Sequence, residues 1–304
     1  MSDEYGFSPY KVTIDNLDEL DKKAISLIEA RGYEIDDIAS AAAEYTARML
    51  ADGLGVYDVL SVISESPELV RGEEGGSVLR EVSDREHFVR SYLGAMRDIG
   101  EEIRESDFLG EPELGERFAY VRNQFSDEAY DVLSAERTDP RVRYYKSFRE
   151  CAAALASGEV DSILLPLEER GGVRLPGVAE LIYRYDFRIN AVTPVFGLLA
   201  DADVKYAEIS RRFRPLSRSE DDDGYLEIRV PASGAPVSEL MAVSELFGMS
   251  VYRISTHTVD AEGESLVHIS LVLREGECGI LPFLTYIAIF AKDALPVGIY
   301  KNLE

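Results

Sequence analysis

The sequence predicts an α+β chain in three segments: an all-helical segment over residues 1–108, a single α/β lobe over 109–218, and a ferredoxin-like βαββαβ unit over 219–304. Three observations carry this. Apolar residues recur at helical spacing up to about residue 105. Short apolar runs alternate with helical patterns from about 117 to 215. Strand and helix patterns then follow in the order βαββαβ after residue 224.

In the first segment Leu17, Leu20, Ala24, Leu27 and Ile28 share one helical face, and Ile35, Ile38, Ala42 and Tyr45 continue the stripe after Gly32. Phe88, Tyr92, Ala95, Ile99 and Ile103 form a further stripe. Ser66-Pro67 and the glycines from Gly72 to Gly76 separate the stripes. Amphipathic helices cannot bury their apolar faces alone, so a bundle or an intertwined dimer is expected.

In the second segment Phe118 to Arg122 reads as a strand, and Ser126 is placed to cap the helix after it, with Asp127 and Glu128 in the first turn. Val142 to Tyr145 reads as a strand, then Ser147 caps a helix that Gly158 ends. Val160 to Glu168 is a strand, Pro176 opens a helix through Tyr185, and Arg188 to Phe196 and Lys205 to Phe213 are strands. Strands spaced by helices predict a mostly parallel sheet, whose ligands bind beyond the carboxyl ends of the strands; Glu168 and Glu169 sit at such an end. They suit a shared proton or a bound cation, with a solvated loop and an Arg170 salt bridge as the alternative.

In the third segment Tyr225 to Pro231 alternates as a strand, Gly234 to Gly248 is helical, and Ser250 to Val259 and Ser265 to Leu273 are strands joined by a turn. Gly279 to Ala294 is helical and Pro296 to Leu303 closes the unit. The acidic run Glu220 to Asp223 reads as the linker before it.

Composition narrows the function classes. The formal net charge is −25, which disfavours the polyanions nucleic acid and anionic membrane as partners. The two cysteines, Cys151 and Cys278, form no disulfide framework and no Cys-x-x-Cys pattern, and His87, His257 and His268 are scattered, so no metal site is expected. No cofactor is implied. No basic start with an apolar core opens the chain, and the apolar run from Ile280 to Ala291 is too short to span a bilayer, so a cytoplasmic protein is expected.

The segment order resembles the P-protein family: chorismate mutase, prephenate dehydratase and an ACT regulatory domain in one chain. "LDELDKKAISLIEARG", ending at Gly32, resembles the opening helix of helical chorismate mutases. "FSDEA" resembles the Tyr-Ser-x-x-Ala element of prephenate dehydratases. "ILLPLEERGG" resembles their Val-x-Pro-Ile-Glu-Asn-Ser/Thr strand and loop, and "KYAEISRRFRPL" their Asn-x-Thr-Arg-Phe strand. "GAPV" resembles the Gly-Ala-Leu-Val turn that contacts phenylalanine. The resemblance implies catalytic candidates Arg31, Ser126, Glu168 and Glu169, and ligand-binding candidates Gly234, Ala235, Pro236, Val237, Thr256 and His257. It implies a small-molecule partner, an aromatic amino acid or a chorismate- or prephenate-like anion, and a homodimer or higher homo-oligomer.

The departures are specific. Two family mutase cations fall at Ile14 and Ala42, leaving Arg31, with Arg90 and Arg97 on one predicted helix face as unaligned substitutes. The dehydratase Thr-Arg-Phe falls at Ala207-Glu208-Ile209, which turns a hydroxyl into a methyl and a cation into an anion; Ser210-Arg211-Arg212-Phe213 follows three residues on. The Glu-Asn-Ser/Thr loop reads Glu168-Glu169-Arg170. Phe196 is separated from Lys205 only by "GLLADADV", where family members carry a second lobe, so one lobe cannot enclose a substrate and exclude water. In the ACT-like unit the family's Glu-Ser-Arg-Pro falls at Ser255-Thr256-His257-Thr258. The expectation is a non-catalytic, ligand-sensing relative; the alternative is a divergent but active mutase or dehydratase.

Overall fold

The computed structural model describes residues 19–65, 79, 81–110, 115–135, 137–169, 172–196, 203–214, 224–261 and 264–301. Leu17, the turn signals at Ser66-Pro67 and Gly72 to Gly76, Arg170 and the acidic run Glu220 to Asp223 lie outside them. The elements are α1 (Glu19–Ala51), α2 (Val56–Ser64), α3 (Val82–Asp98), α4 (Glu105–Leu109), β1 (Arg117–Tyr120), α5 (Gln124–Leu133), β2 (Arg141–Tyr144), α6 (Phe148–Ala156), β3 (Ser162–Glu169), β4 (Val173–Arg174), α7 (Pro176–Arg184), β5 (Arg188–Phe196), β6 (Asp203–Ser210), β7 (Gly224–Pro231), α8 (Val237–Leu246), β8 (Ser250–Ala261), β9 (Glu264–Arg274), α9 (Leu281–Phe290) and β10 (Leu295–Lys301). They form two compact units.

The first unit comprises Met1–Phe108, Pro236–Ser250 and Gly276–Lys292, and is helical. Its α1 is one helix of 33 residues that runs through Gly32, as the continuing stripe predicts. Mid-helix glycine costs about 1 kcal/mol relative to alanine, and burial of the face carrying Ile35, Ala39 and Ala43 offsets it. Helix α3 presents Phe88, Val89, Tyr92 and Met96 to the same core. Thr46 and Tyr92 satisfy each other's buried hydroxyls at 2.8 Å. The apolar run of α9 is buried from Pro282 to Ile289, which explains why it is hydrophobic all round. No described helix is long and apolar enough to cross a membrane.

The second unit comprises Leu109–Ala235, Val251–Glu275 and Asp293–Glu304. Its ten described strands form one sheet in the order β2-β1-β3-β6-β5-β10-β7-β9-β8, with β4 paired to β3 outside this path. The sheet is mixed rather than mostly parallel: β1 is parallel to β2 and β3, but β6 lies antiparallel between β3 and β5. The cause is chain length. Phe196 pairs with Asp203, and the short connection between them has room for a hairpin but not for the dozen or more residues of a parallel crossover. The last four strands run β10-β7-β9-β8, the strand order of a ferredoxin-like βαββαβ unit. They continue the preceding strands without a break, because β10 pairs with β5 at Gly298 and Ile189. A Cβ at Gly298 would stand 3.0 Å from the Ile189 Cβ, so a side chain here would push the two strands apart by a few tenths of an ångström.

Two register shifts matter for chemistry. In β3 the pairing moves from Pro166–Tyr206 to Glu168–Lys205, so Leu167 is an extra residue. Pro166 has no N–H for the ladder and sits where the ladder breaks. In β5 Asn190 is the extra residue, and its side chain donates to Ser210 Oγ at 2.6 Å and to the Arg212 carbonyl at 3.1 Å. The sheet also curls: six steps separate β3 from β8 in strand order, yet Arg253 of β8 bonds Glu168 of β3.

Candidate functional site

The apolar strand β3 ends in a charge. Glu168 is 3% exposed, and the bulge at Leu167 turns it inward. Arg253 donates from Nη1 to Glu168 Oε1 and to the Gly172 carbonyl at 3.2 Å, and Lys205 Nζ stands 3.6 Å from Oε2. Opposite Glu168 on the β3–β4 ladder is Arg174, whose Nη2 donates to Glu227 Oε2. Ser270 Oγ donates to Glu227 Oε1 at 2.9 Å, and Tyr300 OH donates to Oε2 at 3.4 Å. Tyr183 meets His257 and His268 edge-on at 5.7 and 5.8 Å, and Arg229 lies over its ring. Strands β3, β4, β6, β7, β8, β9 and β10 and helix α7 thus deliver one buried ionic cluster.

Burial sets the electrostatics here, because removing a charge from water costs several kcal/mol unless it is paired. Burial opposes the Arg174 charge, but Glu227 prevails and its pKa stands above the usual guanidinium value. Burial, reinforced by Arg174, holds His257 below its ordinary value; burial and Arg229 do the same to His268. Burial and then Glu227 push the Tyr183 and Tyr300 phenols up.

A second cluster surrounds the position where the resemblance places a cation. Glu208 of β6 is fully buried and accepts from Arg137 Nη2 at 2.5 Å, Arg214 Nη1, and Ser162 Oγ at 2.7 Å. The carboxylate is structural glue between β6, β3 and the chain on either side. Ser210, the shifted substitute, donates to the Arg212 carbonyl at 2.5 Å and accepts from Asn190, so its hydroxyl is also engaged.

The remaining predicted residues fall in separate places. Asn123, not Ser126 as expected, is the N-cap of α5, and Ser126 lies one turn in and closes the capping box: its N–H donates to Asn123 Oδ1 at 3.0 Å, and its hydroxyl accepts from the Asn123 N–H at 2.8 Å. Glu169 is exposed, since strand alternation sends it and Glu168 to opposite faces; the two cannot share a proton. The Gly234–Ala235 turn is closed by the chain itself, with Ala235 N–H donating to Asp293 Oδ2 at 2.8 Å. Pro236 caps α8 and Val237 opens it. Thr256 is exposed on β8, whereas His257 is buried and shares a 2.9 Å hydrogen bond with Ser255. No hydrogen bond among the described residues joins that pair to Gly234 or Ala235. In the helical unit Arg31 bonds Glu34 and Asp84 at 2.9 and 3.0 Å, and Arg90 bonds Glu86 and the Leu246 carbonyl, while Arg97 is exposed. Arg31 and Arg90 are each paired with carboxylates.

Sequence reasoning missed Arg174, Arg253, Glu227, Arg137 and Arg214. One signal was available: Glu208 and Glu227 each sit inside apolar strand runs, and a buried strand carboxylate demands a buried cation. Which cation answers is set by the curl of the sheet, which no local pattern encodes.

No protein-family model matches the chain, and no curated protein matches it. Solved structures do. A prephenate dehydratase from Streptococcus mutans is 11% identical, with 62% of this chain and 99% of that chain covered and a TM-score of 0.46. A structure described as GqqA, a novel type of quorum quenching acylase, is 18% identical over 61% and 93%, with a TM-score of 0.44. A prephenate dehydratase from Arthrobacter aurescens in complex with L-Phe is 12% identical over 60% and 89%, with a TM-score of 0.43. Likenesses at these values do not establish a shared activity.

Proposed function

We propose that the chain is a non-catalytic relative of the prephenate dehydratases that binds a small anion or amino acid of aromatic metabolism and reports on it. The observation that carries this reading is the Glu208 cluster. Dehydration of prephenate loses carboxylate and hydroxide together, and needs cations facing the substrate. At the position where the motif resemblance expects that cation, this chain holds an anion whose oxygens are taken by Arg137, Arg214 and Ser162. The Ser126 hydroxyl serves a helix cap, and the β5–β6 hairpin leaves no second lobe to enclose a substrate. The three-segment division at 108/109 and 218/219, the ACT-like role of the last segment, a homo-oligomer and a cytoplasmic location belong to the same proposal.

The test is an assay of purified protein with chorismate and with prephenate, followed by calorimetric titration with both and with L-phenylalanine, L-tyrosine and L-tryptophan. We expect no turnover above a buffer blank and a binding heat with at least one compound. Turnover lost on Glu168→Gln or Arg31→Ala would replace this reading with the active-enzyme one. No heat with any compound would reject ligand sensing.

A further inference from the structure

Tyr183, near the end of α7, is held by three strands at once. Its ring meets His257 of β8 edge-on at 5.7 Å and His268 of β9 edge-on at 5.8 Å. Arg229 of β7 lies over the ring at 5.4 Å, and its Nη1 donates to the Tyr183 carbonyl at 3.1 Å. The chain then turns sharply toward β5. Asp186 sits in that turn with φ at 53°, a left-handed conformation that strains a residue other than glycine. Arg188 and Arg229 hold its carboxylate at 2.8 and 3.7 Å.

Neither imidazole has a carboxylate waiting for a second proton. His257 Nε2 shares its hydrogen bond with the Ser255 hydroxyl, and His268 Nδ1 is buried with no hydrogen-bond partner among the described residues. The charged groups around the pair are Arg174 of β4, Arg188 of β5, Lys205 of β6, Arg229 of β7 and Arg253 of β8, against Glu168 of β3, Glu227 of β7 and Asp186 of the turn. Each of these carboxylates already serves a guanidinium: Glu168 that of Arg253, Glu227 that of Arg174 and Asp186 that of Arg188. The phenols of Tyr183 and Tyr300 are uncharged, because burial pushes them up. Two added protons would enter a neighbourhood where five cations already face three carboxylates, and like charges out of water repel strongly.

We propose that His257 and His268 form an acid-sensitive latch: neutral, they hold Tyr183 and the Asp186 turn against β8 and β9; protonated, they release that turn while the rest of the sheet stays folded. The release is local, because Val178, Leu181 and Ile182 keep α7 in the apolar core. Linkage gives its sign. In the closed latch, burial and then the neighbouring arginines, Arg174 for His257 and Arg229 for His268, hold both groups below the ordinary value of 6.5. Opening restores that value, so the latch is fully closed above pH 6.5 and opens progressively as pH falls toward the lower closed-state values. The device does not depend on the ligand-sensing reading.

The test is amide hydrogen exchange and imidazole titration by NMR on the full chain, from about pH 7.5 to about pH 5. The Tyr185 and Phe187 amides, which donate to the Leu181 and Ile182 carbonyls at 3.2 and 2.9 Å, report the turn. The Ser157 amide, which donates to the Ala153 carbonyl at 3.0 Å, is the control in α6. Each proton taken up on opening raises the opening constant by up to about tenfold per pH unit. Corrected for intrinsic exchange, protection at Tyr185 and Phe187 should therefore fall by about tenfold to a hundredfold per pH unit below the ordinary imidazole value, with Ser157 unchanged. Combining His257→Gln with His268→Gln should abolish the fall. If that double variant fails to fold, the wild type decides: the His257 and His268 ring resonances must titrate over the span in which the two amides lose protection. Protection independent of pH, a fall retained in the folded double variant, Ser157 losing protection in step with the turn, or imidazoles that titrate at their ordinary value would each overturn the latch.

Discussion

Replacing Glu208 with alanine tests whether the buried carboxylate on β6 is structural. The carboxylate is fully buried and serves Arg137 at 2.5 Å, Arg214, and the Ser162 hydroxyl at 2.7 Å. The Arg137 side chain is 3% exposed, so it cannot turn to water when its partner is removed. Burial already depresses its pKa, against the support of Glu208. Breaking a buried pair by removing one partner costs roughly 3–5 kcal/mol, because the other charge is left uncompensated. Arg214, at 13% exposure, recovers part of its hydration, and we expect Glu208→Ala to lose about 4 kcal/mol. Urea unfolding followed by far-ultraviolet circular dichroism reads this directly, with the midpoint falling and the slope unchanged. Glu208→Arg, which supplies the cation expected from the motif resemblance, gathers three guanidinium groups at one point, so no folded protein should accumulate. A loss under about 1 kcal/mol for Glu208→Ala would refute the reasoning: the carboxylate would then be dispensable to the fold and available for chemistry.

Three further outcomes follow from the same contacts. Ser126→Ala removes the hydroxyl from the α5 capping box and should cost about 1 kcal/mol by urea unfolding, with ligand heats unchanged; lost binding at unchanged stability would assign the hydroxyl to a site instead. Stability should fall as pH drops below the ordinary histidine value of 6.5, because burial beside Arg174 lowers His257 in the folded state and the unfolded chain therefore takes up more protons. That contribution is fully present above 6.5 and is lost progressively toward the lower folded value, and His257→Gln should flatten the slope; an unchanged slope would count against it. Gly234→Ala places a Cβ 1.9 Å from Asp293 Oδ2 and 3.1 Å from the Pro231 carbonyl, so the Asp293–Ala235 hydrogen bond must break; we expect a loss of about 1–3 kcal/mol by thermal unfolding, and a neutral result would show that the turn relaxes freely.

Local pattern revealed the elements and little of their assembly. The strand at Ser162–Glu169, the cap at Ser147 and the βαββαβ order after residue 224 are all written in short-range periodicity and turn chemistry. The direction of β6 depended on counting the residues after Phe196, a length argument available in the sequence but overridden by the expectation of a parallel sheet. Continuity of the sheet through Gly298 and Ile189 is a long-range pairing; its trace in the sequence is a single glycine in a β-branched strand. Among site residues, Glu168 was legible because an apolar strand ended in a carboxylate. Arg253 was not, because it alternates in β8 with exposed Tyr252 and Ile254 and reads like a solvent-facing charge until the sheet curls over it.

The pattern of satisfied and unsatisfied groups distinguishes a rebuilt site from a decayed one. Removing one member of an interaction strands the other, so a decayed site would leave orphans at the positions singled out by the motif resemblance. At those positions Ser126 completes the capping box of Asn123, Asp293 takes the Ala235 N–H, and two arginines with Ser162 surround Glu208. Arg137 Nε is the orphan beside Glu208, whereas five orphaned atoms belong to Glu168, Arg174, Arg253 and His268. A stable fold tolerates few such groups, each at a cost of about 1–3 kcal/mol. The Glu168 carboxylate is held in the strand end by a cation from β8, Arg253.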